Sequence, residues 1–220
     1  MPSSIISHQA PALLIKLKYP RKIDGTAICI STFVPDLNVF FDFLLPGFFR
    51  NLTHSLMGIF IWTIPITIFF TILFSQYIAP YFSKLAKKDI WILKPLKYFG
   101  IDKWDQLKLK KINRKFYLIA SYSALIGGLT HLLLDLPAHE YIELFFPFII
   151  LKAPDFMSIP LAYHGTITIG SRIIPLVLKV YNLIWFLETI ILVFPSLYSL
   201  RYIEKKNLLE KWYQEEFYEK

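Results

Sequence analysis

Uninterrupted apolar runs long enough to cross a bilayer constrain this chain more than any other feature. A helix needs about 20 mostly apolar residues to traverse the hydrocarbon core. Leu56 to Phe82 contains no charged side chain, and Phe116 to Leu134 is interrupted only by His131. A third run lies within Ile173 to Leu200 and carries Lys179 and Glu188. The whole chain agrees: of 220 residues, 55% are hydrophobic and 17% aromatic, and the mean hydropathy is +0.47. A soluble domain of this size has too little interior to hide that surface, whereas lipid solvates it directly. The expected fold class is therefore all-α, a multi-pass transmembrane helical bundle.

Between these runs the chain is less regular. Thr26 to Phe49 is apolar, but Pro35, Asp36, Asp42 and Pro46 interrupt it. A continuous span there would break its helix and bury two carboxylates in lipid. It reads as two short helices, re-entrant or packed against the bundle. Tyr141 to Leu151 is too short to cross and is expected along the interface or dipping into it. Residues 1–204 then form one membrane-embedded domain, followed by a polar tail over 205–220.

The net charge of +8 sits between and after the apolar runs rather than on a soluble face. The connection 83–115 is rich in lysine, from Lys84 to Lys115, and the tail adds Arg201, Lys205, Lys206, Lys211 and Lys220. That is the pattern of juxtamembrane lysines, so nucleic acid is not the expected partner; the bilayer is. Positive charge favours the cytoplasm, which puts the ends near His54 and Asp135 on the extracytoplasmic side of the cell membrane. The start, Met1 to Ile15, has no basic stretch ahead of its apolar residues and does not read as a cleaved signal peptide. Cys29 is the only cysteine, so any metal must be held by nitrogen and oxygen.

The histidines carry most of the functional information. There are five, His8, His54, His131, His139 and His164. The last four flank the ends of the first two spans that share a membrane face. His131 and Asp135 are four apart on one helix face, where they can grip one ion or hydrogen-bond to each other. Imidazole with carboxylate suits zinc, and also manganese, nickel or iron. Taken singly, each residue has a plainer reading. Asp36 after Pro35 caps a turn, Ser55 caps the helix that follows, and His8 is an exposed N-terminal side chain. Inside a membrane, however, an ionisable pair is costly unless paired or coordinated.

Several short motifs recur in order: Met1-Pro2, Ser7-His8-x-Ala10, Pro35-Asp36, His54-Ser55-Leu56, Gly128-x-Thr130-His131-Leu132-x-x-Asp135-x3-His139, and His164-Gly165 followed by Gly170. Together they resemble an uncharacterised bacterial and archaeal family of membrane proteins, the domain-of-unknown-function 4184 family. That family looks akin to predicted membrane-bound metal-dependent hydrolases, and more distantly to zinc-dependent phospholipase C and fungal single-strand nucleases. The resemblance implies His8, Asp36, His54, His131 and Asp135 as metal ligands. His139, His164 and Ser55 would be supporting or substrate-contacting residues. His8 can join only if Thr26–Phe49 re-enters rather than spans.

Two functions follow as expectations. One is a metal-dependent hydrolase, with zinc as the expected divalent ion, acting on an amphiphilic phosphoester or related ester at the membrane face. The other is a non-enzymatic membrane protein in which the same groups hold a structural metal or relay protons. A catalytic site needs an open cleft and a structural one does not.

Overall fold

A computed structural model describes residues 4–88, 90–169 and 172–214. Met1, Pro2, Gly170 and Lys220 lie outside the described residues. A single turn, Ser4–Ser7, leads into α1 (Gln9–Lys18), and the chain returns as α2 (Gly25–Ser31) followed by a 3-10 turn, Pro35–Phe40. The short α3 (Phe48–Thr53) precedes α4 (Leu56–Ala86), α5 (Arg114–Ala138), α6 (Val180–Lys205) and α7 (Leu208–Gln214). Helices α4, α5 and α6 are long and apolar enough to cross a membrane, which marks this as a membrane protein.

The described residues are mostly helical, but they are not all-α. Between α5 and α6 lie two antiparallel hairpins, β1 (Tyr141–Phe145) with β2 (Ile149–Lys152), and β3 (Pro160–Ile169) with β4 (Arg172–Lys179). Tyr141–Leu151, expected to lie in or along the interface, forms the first hairpin. The apolar stretch Ile173–Leu200 is part strand and part helix. Pro175 has no N–H to donate to a ladder, and it is tolerated in a two-stranded hairpin where one edge is free. Lys179 consequently stands at the helix start instead of within a span, and its backbone N–H donates to Asn182 Oδ1 at 2.9 Å.

Helix α4 begins at Ser55, whose hydroxyl accepts the Gly58 N–H at 2.9 Å and donates to the Leu52 carbonyl at 2.6 Å. Two wide π-helical turns, Ile59–Thr63 and Phe74–Ile78, sit just before Pro65 and Pro80 respectively. Each proline removes an N–H and crowds the preceding turn, and a widened turn absorbs the mismatch without ending the helix. Helix α5 starts at Asn113, which accepts the Phe116 N–H at 2.9 Å.

Small residues on α5 decide where the site forms. A Cβ added at Gly127 would lie 1.9 Å from Ser31 Oγ and 2.6 Å from the Ile28 carbonyl oxygen, so α2 can approach only because that carbon is missing. On the next position, a Cβ at Gly128 would meet Thr63 of α4 at 3.2 Å. Helices α2 and α5 run in register. The Asp24 N–H donates to Ser123 Oγ at 2.9 Å, and eight residues further along each segment the Thr32 carbonyl accepts from His131 Nδ1 at 2.7 Å. At 1.5 Å per residue both intervals are about 12 Å, so the two rungs close without strain.

A second polar knot lies at the lower rung. Asp24 caps α2 by accepting the Ala27 N–H at 2.8 Å and binds Lys110 Nζ at 2.9 and 3.0 Å, with all groups buried. Lys16 donates to the carbonyls of Pro20 and Ile23 at 2.6 and 2.8 Å, and its ammonium lies 4.5 Å over the Trp212 ring of α7.

Candidate metal centre

Asp36, His54, His131 and Asp135 each present one ligand atom to a common point, and these atoms all lie within 4.8 Å of one another. The residues come from four stretches: the 3-10 turn, the end of α3, and two successive turns of α5. Close packing at Gly127 delivers Asp36, because the turn Pro35–Phe40 extends directly from the end of α2.

The histidine tautomers follow from their outer partners. A carbonyl oxygen can only accept, so His131 Nδ1–H donates to Thr32 at 2.7 Å and His54 Nδ1–H donates to the Arg50 carbonyl at 3.1 Å. Both rings therefore turn Nε2 toward the cluster, which is how metal-ligating histidines are commonly held. The Nε2 atoms are 3.4 Å apart. His131 Nε2 lies 3.1 Å and His54 Nε2 3.3 Å from Asp135 Oδ2, while Asp36 Oδ1 lies 3.4 Å from His54 Nε2 and 3.8 Å from His131 Nε2. Ligands bonded tetrahedrally to zinc at 2.0–2.1 Å would stand about 3.3 Å apart. Asp135 Oδ2 is buried and, among the described residues, makes no well-formed hydrogen bond despite these neighbours. The polar atoms converge on a shared centre rather than pairing off, and a divalent cation fits that arrangement.

Charge points the same way. Burial disfavours an imidazolium at His54, yet the carboxylates of Asp135 and Asp36 overcome it and raise its pKa to about 9. Burial would likewise raise Asp36, but the His54 hydrogen bond and the charges of His131 and His54 hold it well below the usual carboxylate range. Two carboxylates at this point thus attract a positive charge, whether a proton on His54 or a metal ion that displaces it.

His8 stands beside this group rather than within it. Its Nδ1 is 3.1 Å from His131 Nδ1, its ring meets that ring edge-on, and its Nε2 is 3.9 Å from Asp135 Oδ1. Burial, and then the neighbouring His131, lower its pKa to about 4, which leaves it a neutral imidazole at physiological pH. Thr26–Phe49 holds short helical pieces, the rest of α2, the 3-10 turn and the start of α3, and the contact with His131 puts His8 at the same end as the cluster. His139, just past α5, reaches Asp135 Oδ2 with its Nε2 at 3.4 Å and is partly open.

Two expected residues are elsewhere. His164 is exposed on β3, and no contact joins it to the cluster among the described residues. An extended strand advances more than twice as far per residue as a helix, which carries His164 out along its hairpin. Ser55 is fully buried, and its hydroxyl is committed at the start of α4.

A cleft of about 400 Å³ opens beside the cluster, lined by Asp36, His54, Asp135 and His139 together with Tyr181 and Trp185 of α6. Asp36 has 22% of its side chain exposed while His131 has none, so the cluster is closed behind and open in front. The cleft residues Arg50, Tyr181, Asn182 and Trp185 were not singled out from sequence. Only Arg50 left a signal, standing one helical turn before His54.

The profile of one family, described as Domain of unknown function (DUF4184), matches residues 1–207. No curated protein and no solved structure matches the chain. The chain belongs to the DUF4184 family.

Proposed function

We propose that this member of the DUF4184 family is a membrane-bound metal-dependent hydrolase that cleaves a phosphoester or related ester at the bilayer face. The observation that carries the reading is an open cleft beside four converging nitrogen and oxygen ligands. In this reading α4, α5 and α6 cross the cell membrane. The lysine-rich connection is cytoplasmic and the cluster faces the opposite side. Residues 1–204 act as one unit, with the polar tail beyond it.

Asp36, His54, His131 and Asp135 would hold the ion, with zinc the best match to two imidazoles and two carboxylates at these separations. His8 braces His131 from behind. A divalent ion bound there supplies Lewis acidity, acidifying water and polarising a phosphoryl oxygen. Asp36, ionised and facing the cleft, would orient the attacking water by accepting a hydrogen bond from it, and the proton that this water gives up leaves to solvent through the open cleft. Water adds to phosphorus as the ester P–O bond breaks. His139, tethered to Asp135 and open to the cleft, is placed to give a proton to the departing oxygen. Trp185 and Tyr181 line the cleft from α6, where an amphiphilic substrate can keep its tail in lipid.

Four protein ligands alone would also suit a structural metal; the reading as a catalytic site rests on Asp36 being partly exposed at the cleft, where water could take its place on the ion. The deciding experiment purifies the full chain in detergent and measures metal content and phosphodiesterase activity for wild type and His131→Ala. The expected result is a stoichiometric transition metal and activity in the wild type, both lost in the variant. Activity that survives His131→Ala unchanged argues against the mechanism.

A further inference from the structure

The charges lining the cleft pose a problem for an anionic substrate. Asp36, Asp42, Asp135 and Glu140 all border it. A metal ion answers Asp36 and Asp135. Glu140 is answered by Lys179, whose ammonium binds both of its carboxylate oxygens at 3.1 and 3.2 Å. Asp42 Oδ1 accepts the Gly47 N–H at 3.0 Å. What remains is the guanidinium of Arg50, the arginine among the cleft's lining residues.

Its setting is unusual for a buried-edge arginine. No carboxylate lies within ion-pair distance among the described residues, and the group rests 5.5 Å over the ring of Tyr141. A ring offers no oxygen acceptor, so this contact leaves guanidinium N–H donors available for a two-pronged bond to an anion. The backbone is fixed as well. The Arg50 carbonyl accepts His54 Nδ1–H at 3.1 Å, and the neighbouring Asn51 side chain donates to Glu143 of β1 at 2.7 Å. One residue thus orients a cluster imidazole with its main chain and presents an uncommitted planar cation to the same cleft.

We propose that Arg50 is the anion-recognition residue of this site, seating two non-bridging oxygens of a phosphate group beside the metal cluster. The assignment rests on the reading of the cluster as a metal centre, and it names the substrate class as a phosphate ester. Planar paired donors match phosphate oxygens, and a lysine at this position would offer only a point charge.

The test uses the full chain in detergent, loaded with zinc and titrated calorimetrically with glycerol 3-phosphate and with dihexanoyl phosphatidic acid. Wild type is expected to bind. Arg50→Gln should weaken both ligands roughly ten- to a hundredfold, as expected for losing a charged two-pronged hydrogen bond. Zinc stoichiometry and the helical circular dichroism should be unchanged, since the Arg50 carbonyl remains. Arg50→Lys should fall between. Tighter, Arg50-dependent binding of the lipid identifies a membrane phosphoester, and equal binding a soluble one. Phosphate binding that is absent, or unaffected by Arg50→Gln, overturns the assignment. If the wild type takes up no zinc, the metal reading fails on that result alone. The same titration without zinc then decides Arg50: binding lost in Arg50→Gln upholds it, and any other outcome overturns it.

Discussion

His131 is gripped at both nitrogens, by the Thr32 carbonyl at Nδ1 and by the cluster at Nε2, with no solvent exposure. Its position depends on a residue with no side chain. Gly127→Ala would drive a methyl to 1.9 Å from Ser31 Oγ and 2.6 Å from the Ile28 carbonyl, pushing α2 off α5. Overpacking of this kind costs about 1–3 kcal/mol. The expected outcome is a lower melting temperature in detergent together with weaker zinc retention, because Thr32 and Asp36 move with α2. Unchanged zinc retention in a destabilised variant would separate packing from the site. At this scale the sequence was informative where spacing acts locally. His131 and Asp135 share a face because they are four apart on a helix, and that is legible without any structure. The order of the spans puts His54 at the same membrane face as that pair, but its convergence and that of Asp36 to one point was implied by resemblance alone, since it depends on contacts between distant segments. His164 misled because a motif in chain order says nothing about extended backbone between its members.

Elements show a different balance of apolar and polar packing. Along α4, Thr63, Thr67, Thr71 and Ser75 form a fully buried row whose hydroxyls have no hydrogen-bond partner among the described residues. Thr67→Val keeps the shape and removes an unpaired hydroxyl, so it is expected to be neutral or to stabilise by up to ~1 kcal/mol. A clear loss of thermal stability in that variant would mean the hydroxyl has a partner in the folded protein. Asp24 behaves oppositely. Burial would raise its pKa, but the charge and hydrogen bond of Lys110 and the Ala27 N–H pull it below the ordinary aspartate value of 3.8. A carboxyl depressed on folding adds stability above pH 3.8 that is lost as pH falls through its lower folded value. Asp24→Asn strands the Lys110 ammonium and is expected to cost about 3–5 kcal/mol near neutrality. It should also flatten the stability profile below about pH 4, read by thermal unfolding against pH. The long helices could be read from sequence because lipid imposes a length on them. The hairpins could not. Strand β4 (Arg172–Lys179) and α6 form one mostly apolar run in which only Lys179 and Asn182 mark the junction, and hydropathy alone does not tell strand from helix.

For the whole molecule, the proposed orientation can be tested with the chain's own chemistry. Cys29 is the only cysteine, and burial together with the Asp24 charge pushes its thiol up to about 12, so it should label poorly. Phe148 is 87% exposed on the side of the cluster. Phe148→Cys should react with a membrane-impermeant maleimide added to intact cells, whereas Lys97→Cys in the basic connection should react only after permeabilisation. The reverse pattern would place the cluster in the cytoplasm.

The in-register pairing of α2 with α5 also bears on how the protein is made. Asp36 and His54 leave the ribosome well before His131 and Asp135, so a nascent portion ending before α5 holds only half of the cluster. On the proposed metal-centre reading, loading would therefore come late in biogenesis, timed by the arrival of α5 rather than by metal supply.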